Sequence, residues 1–265
     1  MKNLIYFCAF FNEGYIELSK LLMTSILQYG NIDNNTDILM ITSESFKQKL
    51  ENNDLVKKLN LKFHIIEANS LPEACYSRLR IFEFDKINDY KKILYIDTDV
   101  LFLNDINDIL NNDLEDVIYA VEEFGSRKWH YFLYSKYEAL HTLPKKSFST
   151  GIMFFNNSII LKDLFNKILN HIVEHIKSKK ALPSSMDQPF VIYHALENNL
   201  YNNSLLTPQV SMWMDMTPTD FINNDENYKN KKLVHFVGTG TGGYKIKLDC
   251  LTELYNNLLT INNNF

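Results

Sequence analysis

The sequence predicts an α/β fold with a mixed, mostly parallel central sheet flanked by helices. Short apolar stretches of strand length alternate along the chain with longer stretches whose apolar residues recur at helical spacing. One apolar stretch ends in Asp97 and Asp99, and open α/β sheets bind their ligands beyond the carboxyl ends of their strands. No linker rich in Pro, Gly or Ser divides the 265 residues, so we expect one domain over residues 1–265.

In the first half of the chain, strands and helices follow one another in regular order. The predicted strands cover residues 3–11, 37–42, 61–66 and 93–96, and the predicted helices cover residues 14–29, 45–59 and 76–85. Parallel strands joined by helices are the expected consequence of this order.

The second half of the chain is less regular. Its predicted strands cover residues 117–121, 148–155 and 233–237, and its predicted helices cover residues 159–176, 186–200 and 248–259. Pro189 falls in the first turn of the second of these helices, a position that suits proline. Residues 124–146 are aromatic and basic, and we interpret them as an irregular covering segment.

The stretch from Lys91 to Leu103, KKILYIDTDVLFL, carries the main candidate site. Side chains two apart on a strand share a face, so Asp97 and Asp99 are expected to point the same way. Two neighbouring carboxylates repel unless a cation or strong donors lie between them, and oxygen ligands suit Mg²⁺ or Mn²⁺. A strand followed by an Asp-rich turn without a metal is the open alternative.

The composition excludes some classes of protein. A formal net charge of −5 argues against nucleic acid as a partner. The three cysteines form no CxxC pair, which indicates free thiols in a reducing compartment. The first apolar run, residues 4–11, is too short to span a membrane and lacks a signal-peptide pattern. We expect a cytoplasmic protein without a membrane span (in the host cytoplasm or the virion if it is viral), and a homodimer stays an open alternative.

Two further motifs have competing interpretations. His171, Glu174 and His175 formally match an inverted zinc-protease pattern, HxxEH, but they lie at the border of an apolar stripe without a further ligand motif. Paired aspartates also begin the phosphatases of the haloacid dehalogenase type, where Leu101 would have to be Thr or Val. His235 lies in an apolar strand and is either a metal ligand or a core residue.

Five groups of residues together carry a resemblance to one family. They are Asn12 with Tyr15, the segment Tyr76-Ser77-Arg78-Leu79-Arg80, the segment from Lys92 to Leu101, the pair Asp187-Gln188, and His235-Phe236-Val237-Gly238. The segment that begins at Tyr76 is similar to Y-[AS]-R-L-[KR], the one that begins at Lys92 to K-V-L-Y-L-D-[ST]-D-[VT]-L, and the one that begins at His235 to H-[FY]-x-G. With these groups in this order, the chain resembles glycosyltransferase family 8, the glycogenin and galactosyltransferase group with the Rossmann-like GT-A fold. The resemblance extends from the first strand to about residue 247.

The resemblance implies roles for particular residues. Mn²⁺, with Mg²⁺ as the alternative, would be held by Asp97, Asp99 and His235. The catalytic residues would be Asp187 and Gln188 beside the anomeric carbon and Arg78 facing the donor sugar and diphosphate. A UDP-sugar donor would be bound by Ala9, Phe10, Asn12, Tyr15, Arg78, Asp97, Thr98, Asp99, Ser149, Gly238 and Lys245. Residues 1–104 would form the nucleotide-binding part, 105–247 the acceptor side and 248–261 a C-terminal helix.

The chain departs from the family pattern at several places. Ser149-Thr150-Gly151 stands where the family has N-[AS]-G, and Pro189 follows the D-Q pair where part of the family has a second Asp. The family's K-P-W ending is missing, which leaves Lys245 as the lysine expected near the β-phosphate.

The expected activity is metal-dependent, retaining transfer of a hexose from a UDP-sugar to an acceptor hydroxyl, with glucose as the first choice and galactose or GlcNAc next. A degenerate module that binds nucleotide-sugar without turnover is the alternative, followed by the phosphatase. The acceptor, a glycan or a protein, would lie over residues 124–146 and 200–230, where Trp129 and Trp213 suit sugar stacking. Self-glycosylation would involve the tyrosine cluster Tyr131, Tyr134 and Tyr137.

Overall fold

The structure, a computed structural model, describes residues 1–123, 147–180, 182–183, 185–213, 217, 228–237 and 243–262. Its strands in chain order are β1 (Lys2–Ala9), β2 (Thr36–Thr42), β3 (Lys62–Ile65), β4 (Tyr90–Ile96), β5 (Val100–Phe102), β6 (Ile118–Glu122), β7 (Phe148–Asn156), β8 (Tyr201–Asn202), β9 (Val210–Trp213) and β10 (Leu233–Phe236). Its helices are α1 (Gly14–Tyr29), α2 (Glu44–Leu50), α3 (Asp54–Lys58), α4 (Leu71–Tyr76), α5 (Asn107–Leu110), α6 (Ile159–Lys177), α7 (Gln188–Glu197) and α8 (Gly243–Asn262).

Seven strands form the central sheet in the order β3-β2-β1-β4-β7-β6-β8. The pairs β2–β3, β1–β2, β1–β4 and β6–β8 are parallel, whereas β7 runs antiparallel to both β4 and β6. The two middle strands are near-continuous apolar runs because helices cover both faces of the sheet. On one face the core includes side chains from α6 and α7, and on the other face it includes side chains from α1 and α2.

A second sheet of three strands, in the order β5-β10-β9, lies beside the end of β4. β10 pairs antiparallel with β5, in a register that places His235 opposite Val100. The backbone N–H of Phe236 also donates to the carbonyl oxygen of Asp99 at 3.0 Å. This sheet therefore joins a strand late in the chain to the turn that carries the two aspartates.

The structure corrects several predicted elements. The helix predicted at 45–59 is two short helices, α2 and α3, because Asn53 caps the second one by accepting from the Leu55 N–H at 2.9 Å. The helix predicted at 76–85 is instead α4 followed by a 3₁₀ helix, Ser77–Glu83. The closing helix begins at Gly243, ahead of the predicted start.

The prediction that Trp213 stacks on a sugar was wrong. β8 and β9 lie within residues 200–230, and Trp213 is completely buried, with its ring 4.7 Å from that of Phe236. Trp213 is thus a core residue and does not present a face to a sugar. The covering segment predicted at 124–146, with Trp129 and the tyrosine cluster, lies outside the described residues.

Within the described residues, none of the helices is both long enough and apolar enough to cross a membrane.

Candidate active site

The turn between β4 and β5 carries the paired aspartates. The Asp97 N–H donates to the Gly151 carbonyl oxygen of β7 at 2.7 Å, which fixes the turn against the central sheet. His235 of β10 approaches from the other sheet, with its Nε2 3.4 Å from Asp99 Oδ1 and 3.9 Å from Asp97 Oδ2. One ligand atom from each of these three residues lies within 4.8 Å of the others. The strand registers thus bring together the predicted metal ligands.

The chemistry of this cluster fits a hard divalent ion. Asp99 Oδ1 is buried and makes no hydrogen bond with the described residues, so it has a lone pair available for a cation. Two carboxylates and one imidazole are a donor set that Mn²⁺ or Mg²⁺ accepts. The described residues contain no second cluster of three such ligands.

Gly151 makes the close approach of these side chains sterically feasible. A Cβ atom at this position would lie 2.2 Å from His235 Cε1 and 2.8 Å from Asp97 Oδ2. Real Cβ atoms do not approach other atoms so closely, so a side chain here would displace the cluster. The sequence showed this glycine only as part of a departure from the family pattern.

Lys247 of α8 forms an ion pair with Asp99, donating from Nζ to Oδ2. Burial alone would raise the pKa of Asp99, but the Lys247 ammonium and His235 outweigh it and hold this pKa below its ordinary value. In return, the Asp99 carboxylate raises the pKa of Lys247. Asp99 is therefore a stable anion at neutral pH, as a metal ligand must be.

Arg78 bridges two acidic residues. Its Nη1 lies 3.2 Å from Asp97 Oδ1, and its Nη2 and Nε lie 3.1 Å and 3.0 Å from the two oxygens of Asp187. Nη1 also donates to the Thr150 carbonyl oxygen at 3.0 Å. Although Arg78 opposes it, burial raises the pKa of Asp187 above its ordinary value. Arg78 thus holds both carboxylates in place.

An aromatic platform supports Arg78 and Asp97. The Arg78 guanidinium carbon lies 5.2 Å from the ring centroid of Tyr95, and the Tyr6 hydroxyl donates to the Arg78 carbonyl oxygen at 2.7 Å. The Tyr95 hydroxyl donates to Asp97 Oδ1. Because Tyr95 and Arg78 both contact Oδ1, the other oxygen of Asp97 is the one turned towards His235.

A pocket of about 200 Å³ opens beside the cluster. Its lining includes the charged side chains of Arg78, Asp97, Asp99 and Lys247 and the apolar or aromatic side chains of Ala9, Phe10, Phe11, Tyr15 and Leu71. The pocket is also lined by Thr98, Cys8 and Cys75. Burial raises the pKa of the Cys75 thiol to about 11. The thiols are therefore protonated at neutral pH and act as small apolar groups.

The first turn of α8 closes one side of this pocket. A Cβ atom on Gly14 would lie 1.8 Å from the Tyr244 ring, so only glycine allows this ring to lie against α1. The Tyr244 ring is also 6.4 Å from the ring of Tyr15. This contact places Lys247, one turn further along α8, over the aspartates.

Most of the predicted donor-binding residues meet at this pocket, but three do not line it. Asn12 is exposed, and its Oδ1 accepts from the Gly14 N–H at 2.9 Å, so it orders the start of α1. Ser149 is buried, and its Oγ accepts from the Gly151 N–H at 3.2 Å. Lys245 is exposed and does not line the pocket, whereas Lys247 does, since residues two apart on a helix point about 200° from each other. Gly238 lies outside the described residues.

The HxxEH pattern forms no metal cluster among the described residues. His171 Nδ1 lies 3.0 Å from His194 Nε2, and His175 packs with its ring 5.4 Å from that of Phe190. Both histidines therefore belong to the contact between α6 and α7.

The comparisons with known proteins agree with this architecture. Among solved structures, the chain is similar to the galactosyltransferase LgtC in complex with donor and acceptor sugar analogues, with a TM-score of 0.55, 17% identity and coverage of 95% of this chain and 96% of that chain. It is also similar to the apo structure of the bifunctional glycosyltransferase WbbM, with a TM-score of 0.63, 16% identity and coverage of 96% of this chain and 51% of that chain. General stress protein A of Bacillus subtilis (strain 168) is 26% identical over 193 residues, 68% of this chain and 62% of that protein.

These neighbours define the class of protein: the fold is that of the GT-A glycosyltransferases, as the sequence predicted. The chain belongs to glycosyl transferase family 8, whose model matches residues 16–241. The predicted family is confirmed, and the phosphatase alternative has no support. The matches span less than two thirds of General stress protein A and of WbbM. The homodimer alternative receives no support from these comparisons.

Proposed function

We propose that the chain is an active, divalent-metal-dependent glycosyltransferase that takes a hexose from a UDP-sugar and retains the configuration at the anomeric carbon. The observation that carries this proposal is the Asp97–Asp99–His235 cluster, with ligand atoms within 4.8 Å of one another, whose two aspartates line the pocket. Glucose is the first candidate sugar, with galactose and GlcNAc as the alternatives.

The lining of the pocket offers groups for both parts of a nucleoside diphosphate. Phe10, Phe11 and Tyr15 offer apolar and aromatic surface for a base, while Lys247 and Arg78 bring positive charge next to the aspartates. Lys247 is the better phosphate contact of the two cations, because the Arg78 guanidinium already donates to Asp97, Asp187 and backbone carbonyls. Arg78 would mainly orient the acidic residues.

Leaving-group stabilisation is the main catalytic contribution in this proposal. Asp97 Oδ2, Asp99 Oδ1 and His235 Nε2 would hold Mn²⁺ or Mg²⁺, which when bound neutralises negative charge on a diphosphate. The Lys247 ammonium adds a second positive charge at the same place. Asp187 and Gln188 lie at the opposite end of the Arg78 network and would orient the sugar and stabilise positive charge that develops on it.

Release of UDP is the first experiment. The protein is incubated with UDP-glucose, UDP-galactose and UDP-GlcNAc, with Mn²⁺ and with EDTA, and free UDP is measured. We expect metal-dependent release from one donor, and we expect Asp99→Asn to reduce it by about 10²-fold or more, because a ligand and a buried charge are lost. Asp113→Asn, the same change at an exposed position, is the control. Release that EDTA leaves unchanged would contradict the metal in this proposal.

Retention is tested separately by NMR of the earliest product. An α-linked product from an α-linked donor supports it, and a β-linked product overturns it. The acceptor is a glycan or a protein, and intact-mass measurement of the purified chain for hexose adducts tests self-glycosylation at Tyr131, Tyr134 and Tyr137.

A second candidate is a module that binds a nucleotide-sugar without turnover. The ion pair between Lys247 and Asp99 favours it, because an ammonium supplies one positive charge next to Asp99 without a metal. This candidate predicts that EDTA does not weaken donor binding, which calorimetry measures. It also predicts that no UDP is released, which the release assay measures.

A further inference from the structure

The side-chain amide of Gln188 is held from both ends. Its Nε2 donates to Glu123 Oε2 at 3.0 Å, and its Oε1 accepts from Thr150 Oγ1 at 3.3 Å. Gln188 is the first residue of α7, next to Asp187, and it stays partly exposed. A substrate can therefore reach this amide, while the protein sets its orientation.

The two partners of the amide differ in what they require of it. A carboxylate can only accept hydrogen bonds, so the amide NH₂ group and not the oxygen must face Glu123. A hydroxyl can donate or accept, so Thr150 tolerates either end of the amide. Of the two described partners, Glu123 is the one that distinguishes the two ends of the Gln188 amide.

Both partners belong to the framework that holds the candidate site. Glu123 directly follows β6, and its N–H donates to the Ser147 carbonyl oxygen at 3.0 Å. Thr150 is buried in β7, and its carbonyl oxygen accepts from Arg78. The next residue is Gly151, which contacts His235 and Asp97. The amide oxygen of Gln188 therefore lies against a strand residue whose chain neighbour approaches the metal cluster.

We propose that Glu123 is a positioning residue that keeps the Gln188 amide oxygen, and not its NH₂ group, turned towards β7. This inference rests on the proposed function, because the orientation matters if positive charge develops on a sugar carbon during transfer. The partial negative charge of an amide oxygen stabilises such a carbon, whereas the partial positive charge of the NH₂ group destabilises it. The sequence alone offers no sign of this role, since Glu123 is simply the second of two glutamates after a strand.

The first test is Glu123→Gln, which keeps the size and hydrogen-bonding capacity of the side chain but can face either end of the Gln188 amide. We expect kcat for UDP release to fall by about tenfold or more, while the donor KM changes by less than about threefold. Glu122→Gln is the matched control, because the neighbouring carboxylate accepts from Asn203 Nδ2 at 2.6 Å instead. Equal kcat values for wild type and Glu123→Gln would overturn the inference.

The second test uses the pH profile. In Gln188→Glu, two carboxyl groups occupy the positions now 3.0 Å apart, so one of them binds a proton and activity falls as pH rises through that raised pKa. In the double variant Glu123→Gln/Gln188→Glu, an amide NH₂ group at position 123 again faces a carboxylate, now at position 188. We expect this pH dependence to disappear in the double variant. If the single and double variants have the same pH profile, Glu123 does not position residue 188.

NMR tests the positioning without turnover. In ¹⁵N-labelled protein, the side-chain NH₂ signals of Gln188 should shift and broaden in Glu123→Gln and stay unchanged in Glu122→Gln. Unchanged signals in both variants overturn the inference. A wild-type protein that releases no UDP overturns the proposed function alone, since the NMR measurement does not depend on it.

Discussion

The two ends of the candidate site each contain a buried carboxylate paired with a cation, yet the two carboxyl groups have pKa shifts in opposite directions. Burial tends to raise both pKa values, but at Asp99 the Lys247 ammonium and His235 outweigh it, and the pKa is lowered. At Asp187 burial prevails over Arg78, and the pKa is raised. The difference arises because Arg78 is shared with Asp97, whose charge also raises the pKa of Asp187.

A short ion-pair distance therefore does not determine the protonation behaviour of a buried acid. Asp99 has Lys247 and His235 beside it, whereas Asp187 shares the Arg78 guanidinium with Asp97. Asp99 is thus held as an anion, and Asp187 is closer to taking up a proton.

Removing Arg78 should have the largest effect. Arg78→Met leaves Asp97 and Asp187 without their shared cation, and we expect the free energy of unfolding to fall by about 3–5 kcal/mol. Lys247→Met is the comparison variant, and it should lower this energy by about 1–2 kcal/mol, because the side chain of Lys247 is 24% exposed against 12% for Arg78. Urea unfolding measures both, and equal losses would show that sharing of the guanidinium is energetically unimportant.

Adding a methyl group at Gly151 should have the second largest effect on stability. In Gly151→Ala the new Cβ lies 2.2 Å from His235 Cε1, so we expect a loss of about 1–3 kcal/mol in the free energy of unfolding and weaker Mn²⁺ binding. In a background of His235→Ala the ring is absent, and the same methyl group should be much less destabilising. Urea unfolding of the four proteins in this cycle measures the coupling, and additive losses would contradict the close contact.

The Tyr95 hydroxyl tests the link between the two ends at Asp97. Tyr95→Phe removes a hydrogen bond to Asp97 Oδ1, and we expect Mn²⁺ affinity to fall by about three- to tenfold with a loss of about 1 kcal/mol in stability. Tyr90→Phe is the matched control, because the Tyr90 hydroxyl donates to Asp37 Oδ2 at 2.9 Å, away from the site. Calorimetric titration with Mn²⁺ measures the affinity of each variant, and equal affinities in both variants would argue against a role for Tyr95.

The smallest expected effect concerns the pH dependence of α7, the helix that begins beside Asp187. Burial, with His171 adding to it, lowers the pKa of His194 to about 4. The unfolded chain binds a proton near pH 6.5 and the folded chain does not, so stability is lost as pH falls from about 6.5 to about 4. We expect His194→Gln to flatten this part of the profile by about 1–3 kcal/mol, measured by urea unfolding at several pH values. An unchanged slope would contradict the lowered pKa.

The sequence predicted the parts of the site that depend on local pattern. Asp97 and Asp99 follow an apolar strand, and the metal cluster that they form with His235 agrees with the predicted ligands. The fold class followed in the same way from the alternation of strands and helices.

The contacts that depend on the register of strands and helices could not be predicted from the sequence. Lys247, and not Lys245, lines the pocket, and the sequence did not show which face of α8 lies towards the site. Gly151 and Tyr95 matter through distances across strands, which no spacing along the chain reveals. The strand at 233–237 was predicted, but the second sheet was missed because its other strands, β5 and β9, are only three and four residues long.

The contact of Tyr244 with Gly14 joins residues that a ribosome produces at very different times. Ala9, Phe10 and Tyr15 of the pocket wall are made roughly 10–50 s before Lys247 at a typical rate of about 5–20 residues per second. Until α8 emerges, Asp99 lacks its ammonium partner and the pocket lacks one side. A nascent chain is therefore expected to complete this pocket only after α8 has emerged, well after the strands that carry the aspartates.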